Sequence, residues 1–149
     1  MPARLARGIT LVEMLIVVAI VGLIAGISFP AVSSGIDSLR LSSASDSLVS
    51  FLNGALNRSE RRQQVVQISI SVEKNAVYLN SPDLARELDM PAGVTIEAVH
   101  GPALFLLLPG ATVPRVGIQI VNRKGTRRIV RVNPMTGVPE IERVETQTP

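Results

Sequence analysis

Hydrophobic and polar positions change their rhythm twice along this chain. Residues 9–29 are almost wholly apolar, interrupted only by Thr10, Glu13, Ser28 and the glycines at 22 and 26. Further on, apolar positions recur at spacings of three and four: Ile36, Leu39, Leu41, Ala44, Leu48, Phe51, Leu52, Ala55 and Leu56, with serines, Asp37, Arg40 and Asp46 between them. That period predicts an amphipathic helix over 33–62. After Gln63 the period falls to two. Val66, Ile68, Ile70 and Val72 then point to one face of a strand over 64–72. Glu73, Lys74 and Asn75 read as a turn, and 76–79 as the hairpin partner. Residues 82–91 are polar and read as a loop or short helix. Further strands are predicted at 94–99, 104–108, 116–121, 127–132 and 138–144, with turn clusters at 122–125 and 133–137. A long helix followed by about seven short strands predicts an α+β fold, its antiparallel β-rich part packed on the amphipathic helix.

The apolar run changes the picture first. Its 21 residues would span ~32 Å as a helix, about one bilayer core. Arg4 and Arg7 precede it, which favours a cytoplasmic N-terminus and places the rest of the chain outside, in a periplasm. Pro30 and the Ser33-Ser34-Gly35 stretch after the run read as a soft joint that permits a bend. The expected organisation is a leader at 1–8, a membrane-spanning helix at 9–30, an amphipathic helix at 31–62 and a β-rich globular domain at 63–149.

Composition narrows the chemistry. The 149 residues contain no Cys, which removes disulfides, thiolate metal sites and a Cys nucleophile. Tyr78, Phe29, Phe51 and Phe105 are the only Phe, Tyr or Trp residues, too few for a base-stacking platform. The net charge of +3 owes two units to Arg4 and Arg7, so the chain without its leader is almost neutral. His100 is the only His and stands before Gly101-Pro102, as a loop residue does. Arg58, Glu60, Arg61 and Arg62 read as the cationic end of the long helix. No Ser/His/Asp order, paired-carboxylate motif or phosphate loop is present, so no enzyme activity, cofactor or metal is expected.

The first thirty residues carry a narrower pattern. A short basic leader, Met1-Pro-Ala-Arg-Leu-Ala-Arg-Gly8, meets the apolar run directly, and Glu13 follows the glycine by five residues. An ordinary secretory signal is cut after its apolar stretch; here the expected cut precedes it. Gly8, Ile9, Thr10, Leu11, Val12 and Glu13 resemble, position by position, the class III signal of type IV pilins and of the pseudopilins of type II secretion systems. Gly22 and Pro30 also fall where that family places a Gly and a Pro. The second half resembles, in pattern and order, the H-type minor pseudopilins and the FimT-like minor pilins: a helix ending Asn57-Arg-Ser-Glu-Arg-Arg62 leads into a Val/Ile strand, and Gly125-Thr-Arg-Arg-Ile-Val-Arg-Val-Asn-Pro-Met-Thr-Gly-Val138 closes the domain.

The resemblance implies cleavage between Gly8 and Ile9 by a prepilin peptidase and methylation of the new amine. It also implies assembly with other pilin or pseudopilin subunits, a bacterial inner-membrane anchor, and secreted proteins among the contacts. A carboxylate inside a bilayer costs ~2.5 kcal/mol or more, so Glu13 is expected to pair with the freed amine of Ile9 or of a neighbouring subunit. Gly22 and Gly26 form a GxxxG, which serves either close helix packing or softening before Pro30. Arg123, Lys124, Arg127 and Arg131 form a basic cluster with two readings. One is a solvated sheet face charged against aggregation. The other is a phosphate-contacting face, as a FimT-like pilin that takes up DNA would use.

Overall fold

The computed structural model describes residues 10–144, with the side chains of 28–34 and of 144 outside the description. One helix, α1, runs over Leu11–Arg62, and eight strands follow among the described residues: β1 Val66–Ser71, β2 Ala76–Ser81, β3 Leu84–Asp89, β4 Val94–His100, β5 Leu104–Leu107, β6 Gly117–Asn122, β7 Arg127–Val132 and β8 Pro139–Val144. The chain divides into two compact units, Met1–Ile36 and Asp37–Pro149. The α+β expectation holds.

In the first unit, the Thr10 hydroxyl accepts from the Glu13 backbone N–H at 3.2 Å. That bond satisfies one of the donors every helix start leaves open, and α1 begins at the next residue. Pro30 lies inside α1, so the helix runs through the expected joint. Proline removes one N–H from the ladder, and the turns on either side maintain the helical path. Among the described residues, no helix is long and apolar enough to cross a membrane. The run expected to do so, 9–29, extends past the described side chains at both ends.

In the second unit, α1 offers one stripe to the sheets: Leu41, Ala44, Leu48, Leu52 and Ala55 are all buried. The stripe is narrower than the apolar series in the sequence, because Ile36 and Leu39 lie off its face at about 100° per residue. Ile36 and Leu39 are exposed, and Phe51 and Leu56 are only partly covered. Ser45 and Ser59 share the buried face. Each hydroxyl finds an acceptor, Ser45 on the Leu41 carbonyl at 2.8 Å and Ser59 on the Leu107 carbonyl at 3.0 Å, as burial of a polar group requires.

The strands form two antiparallel four-stranded sheets: sheet A in the order β3-β2-β1-β5 and sheet B in the order β4-β6-β7-β8. β5 therefore leaves its sequence neighbours β4 and β6 to pair with β1, with Ile68 opposite Phe105. The inward positions Val66, Ile68, Val77, Leu79, Phe105 and Leu107 of sheet A share one core with Val94, Ile96, Ile118, Ile120, Val130 and Val132 of sheet B.

Two sequence expectations need correction here. Residues 82–91 hold strand β3, not a loop or short helix. β3 is an edge strand paired only with β2, so most of its side chains meet water and its polarity hides the strand. Its two half-covered apolar residues, Leu84 and Leu88, are four apart and imitate a helical period. Arg86, Glu87 and Asp89 charge this edge, which discourages pairing with another chain. Val72, expected on the buried face of the first strand, lies just past β1 and is exposed.

The two sheets are joined by Asn75. Its backbone sits at φ 55°, a left-handed conformation that Asn tolerates better than most residues. From there its side chain reaches β4: Nδ2 donates to the Val94 carbonyl at 2.9 Å and Oδ1 accepts from the Ile96 N–H at 2.7 Å. The Asn75 carbonyl also accepts from the Met90 N–H. One residue of the β1–β2 turn thus fills part of the open edge of β4.

Candidate functional site

Two regions carry the sequence-predicted residues. The first is the exposed helix of the N-terminal unit. Leu11, Leu15, Val18, Leu23 and Ile27 are each more than 60 % exposed, and every described residue from Thr10 to Ile27 is exposed. A helix apolar on all sides and exposed on all sides is a surface built to be covered. Glu13 is exposed in its first turn. A Cβ added to Gly22 or Gly26 would meet nothing within 4 Å, so both glycines lie open on the helix surface. Gly8 and Ile9, the expected cleavage pair, lie outside the described residues, as does the Pro30 side chain.

Thr10 is the residue that motif reading passed over in its local role. Thr10-Leu-Val-Glu13 has the spacing of a capping box, and the structure supplies one half of it, the bond from the Glu13 N–H to the Thr10 hydroxyl. The helix start is thereby fixed, with Glu13 three residues inside it. A carboxylate there also meets the positive end of the helix dipole.

The second region is the outer face of sheet B. Alternation along β7 places Arg127, Ile129 and Arg131 outward and Arg128 inward, as the strand period predicts; Arg128 Nη1 donates to the Ser42 hydroxyl on α1 at 3.1 Å. The outward arginines do not stand alone. β4 carries a register shift between Ile96 and Ala98, and this bulge aims Glu97 across β6. Arg127 donates to Glu97 twice, Nε at 2.7 Å and Nη2 at 2.9 Å. Gln119 of β6, between them, donates Nε2 to the same carboxylate at 2.7 Å. The Arg127 and Gln119 hydrogen bonds hold the Glu97 carboxyl down at about 2 and, in return, the Glu97 hydrogen bond raises Arg127.

Arg131 Nη2 stands 3.4 Å from Glu142 on β8. Arg123 lies over Gly93, where a Cβ would come within 3.1 Å of its Nε. Lys124 is exposed in the β6–β7 turn, which Asn122 holds by accepting from the Lys124 and Thr126 N–H groups. Arg123, Lys124 and Arg127 share the turn end of the β6–β7 hairpin, whereas Arg131 lies at the other end, opposite Gly117, and Arg127 is spent on an internal carboxylate. Glu97 was invisible as a partner because its aim depends on the bulge.

His100 ends β4 and its Nε2 lies 3.1 Å from Gln119 Oε1. Arg58 reaches beyond the helix end to the β2–β3 turn, meeting Asp83 at 2.6 Å and the Ser81 hydroxyl at 3.2 Å. That Arg58 hydrogen bond is the main reason the Asp83 carboxyl titrates below its ordinary range.

The N-terminal geometry acquires its meaning by comparison. Residues 3–29 match the family model described as the prokaryotic N-terminal methylation motif. The chain carries a type IV prepilin-like N-terminus. That match covers Gly8, Thr10, Glu13, Gly22 and Gly26 and stops short of the stripe of α1 that packs on the sheets. No curated protein and no solved structure matches the chain.

Proposed function

We propose that this chain is a minor pseudopilin of the H type, a structural subunit of a type II secretion system. A prepilin peptidase cuts between Gly8 and Ile9 and methylates the new amine. The apolar helix holds the subunit in the bacterial inner membrane, N-terminus cytoplasmic and β-rich domain periplasmic, until it joins a periplasmic filament with other pilin-like subunits. Its mechanism is assembly and it catalyses no reaction.

The observation that carries this reading is the methylation-motif match over residues 3–29, laid on a helix whose apolar side chains are exposed all round. In a filament those side chains pack against the helices of neighbouring subunits. The open surfaces of Gly22 and Gly26 let those backbones approach closely. Glu13, fixed three residues into the helix, offers its carboxylate to the methylated amine of an adjacent subunit and so sets the stacking register.

The alternative is a FimT-like minor pilin that contacts DNA through the basic hairpin. It draws less support, because the Arg127 fork is occupied by Glu97 and Glu142 stands beside Arg131. Mass spectrometry of the chain recovered from a host with active prepilin peptidase tests the main reading. The expected species begins at a methylated Ile9. Recovery of intact Met1, or of a chain starting beyond Phe29, overturns it.

A further inference from the structure

His100, Gly117, Arg131 and Glu140 form one row across sheet B, each the cross-strand neighbour of the next. The row lies on the outer face, since Ile118 and Val130 beside it point into the core. Three of its members have long or ring side chains and the second has none. A Cβ on Gly117 would lie 3.4 Å from both His100 Cβ and Ile129 Cγ2, so its absence leaves a notch in a face that is otherwise covered. Glycine inside a strand weakens it and often marks a place where another group approaches the backbone.

The notch opens into a pocket of about 430 Å³ whose lining includes His100, Arg115 and Arg131 and no carboxylate. Val116, Val132 and Pro134 complete it. Gly101, at φ 106°, fixes the rim: a Cβ there would sit 2.3 Å from the Arg115 carbonyl oxygen, so only glycine lets the chain leaving β4 pass this close to Arg115.

Hydrogen bonding prepares the groups around it. Gln119 gives its Nε2 to Glu97, which can only accept, so its Oε1 faces His100. An amide oxygen cannot donate, so His100 presents Nε2–H to Gln119 and keeps Nδ1 as its free ring nitrogen. Arg127 is committed to Glu97. Arg131 is not held in the same way, because its 3.4 Å approach to Glu142 is longer than the usual ~2.7–3.2 Å hydrogen bond.

We infer that this pocket binds the free C-terminal carboxylate of a partner polypeptide whose last residues are small and apolar. The forked guanidinium groups of Arg115 and Arg131 match a carboxylate, the bare backbone at Gly117 admits the partner's main chain, and the half-exposed Pro134 meets the apolar side chain, Val116 and Val132 being turned into the core. A polyanion is a poorer occupant. Glu140 stands opposite Arg131, Glu142 opposite Ile129, and Glu97 lies on the same face, so phosphates laid across the sheet meet three acids. A single carboxylate in the notch competes with Glu142 only at Arg131 and meets Arg115 uncontested, since no ion pair holds Arg115 among the described residues. The pocket lies on the β-rich domain and does not depend on the N-terminal signal, so this inference stands or falls separately from the filament reading.

Calorimetric titration of the full chain in detergent micelles tests it, with N-acetyl-Ala-Ala-Val-Val as the free acid, the same peptide as its C-terminal amide, phenyl phosphate, and short duplex DNA. The free acid binds and the amide binds ~10-fold or more weakly, as loss of a charge-assisted contact requires. Arg115→Gln and Arg131→Gln each weaken the acid ~10-fold. Gly117→Ala places a methyl in the notch at ordinary contact distance from its neighbours, so it folds as the parent does and loses binding to a similar degree; an unchanged thermal transition verifies the fold. The inference is overturned if the acid does not bind, if acid and amide bind equally, if phenyl phosphate or DNA binds more tightly than the acid, or if Gly117→Ala and Arg131→Gln bind like the parent.

Discussion

Asn75 acts as a piece of β-strand for Ile96: its side-chain oxygen takes the Ile96 N–H at 2.7 Å while its side-chain nitrogen gives to the Val94 carbonyl at 2.9 Å. A peptide unit in a neighbouring strand would make the same pair of bonds. Sheets A and B are therefore linked at this edge by a side chain as well as by the shared core.

Replacing Asn75 tests that link. Asn75→Ala leaves the Val94 carbonyl and the Ile96 N–H without their partner and puts an alanine at φ 55°, where it is strained. A loss of ~1–3 kcal/mol in unfolding free energy is expected, read from the denaturant midpoint. Asn75→Gly removes the same bonds and relieves the backbone, so it falls between Ala and the parent. If Ala and the parent unfold at the same denaturant concentration, the link carries no stability.

The Glu97–Arg127 pair makes a pH prediction. The Glu97 carboxyl is held at about 2, below its ordinary 4.5. A lowered folded pKa means the stabilisation is complete above the ordinary value and is lost as pH falls from ~4.5 toward ~2. Both side chains are about a third exposed, so the effect is modest and weakens with salt. Asp83, lowered first by its hydrogen bond from Arg58, slopes the same way. Subtraction isolates the pair: Glu97→Gln should be less stable than the parent at pH ~6 and converge with it at pH ~2. A constant difference across that range would deny the pair its role.

Much of this fold is legible in the sequence because its signals are local. The change from a period of about four to a period of two at Gln63 marks the end of α1 to within a residue. Gly125 and Gly137, both at positive φ, stand in the turns where glycine was expected. What stays hidden depends on distant partners. β3 is polar because it is an edge, and no window of sequence says which strand becomes an edge. Leu39, nine residues before Leu48 and so about half a turn out of phase on α1, belongs to the same apolar series yet lies off the stripe that meets the sheets. The basic cluster is visible as a run of arginines, whereas Glu97 reaches it from a bulge about thirty residues earlier. Gly117 looks like an ordinary strand start until its neighbours His100 and Arg131 are known.

The contrast between Leu39 and Leu48 is itself testable. Leu48 is 0 % exposed and Leu39 71 %. Leu48→Ala opens a cavity in the core and should cost ~2–5 kcal/mol. Leu39→Ala should change unfolding by no more than ~0.5 kcal/mol. Equal losses would mean that residues 36–40 of α1 are covered in the folded chain.

The last prediction concerns Glu13 and rests on the filament reading. Its backbone N–H is held by the Thr10 hydroxyl, so Glu13→Val leaves that bond and the helix start in place. What it removes is the carboxylate. In a bilayer an unpaired carboxylate costs ~2.5 kcal/mol or more, so Glu13→Val should insert into membranes as well as the parent or better, measured by fractionation. Cleavage before Ile9 should also proceed, since Gly8 is untouched. Assembly should fail at the next step, because the methylated amine of a neighbouring subunit no longer has a carboxylate to meet. The measurable result is loss of crosslinks between this chain and other filament subunits in cells that process it normally. Thr10→Ala separates the two roles of this short segment: it frays the helix start, at a cost of ~1 kcal/mol, yet keeps the carboxylate, and should lower crosslinking only in part. Equal crosslinking by Glu13→Val and the parent would remove the carboxylate from assembly and leave Glu13 as a residue that merely complements the positive end of α1.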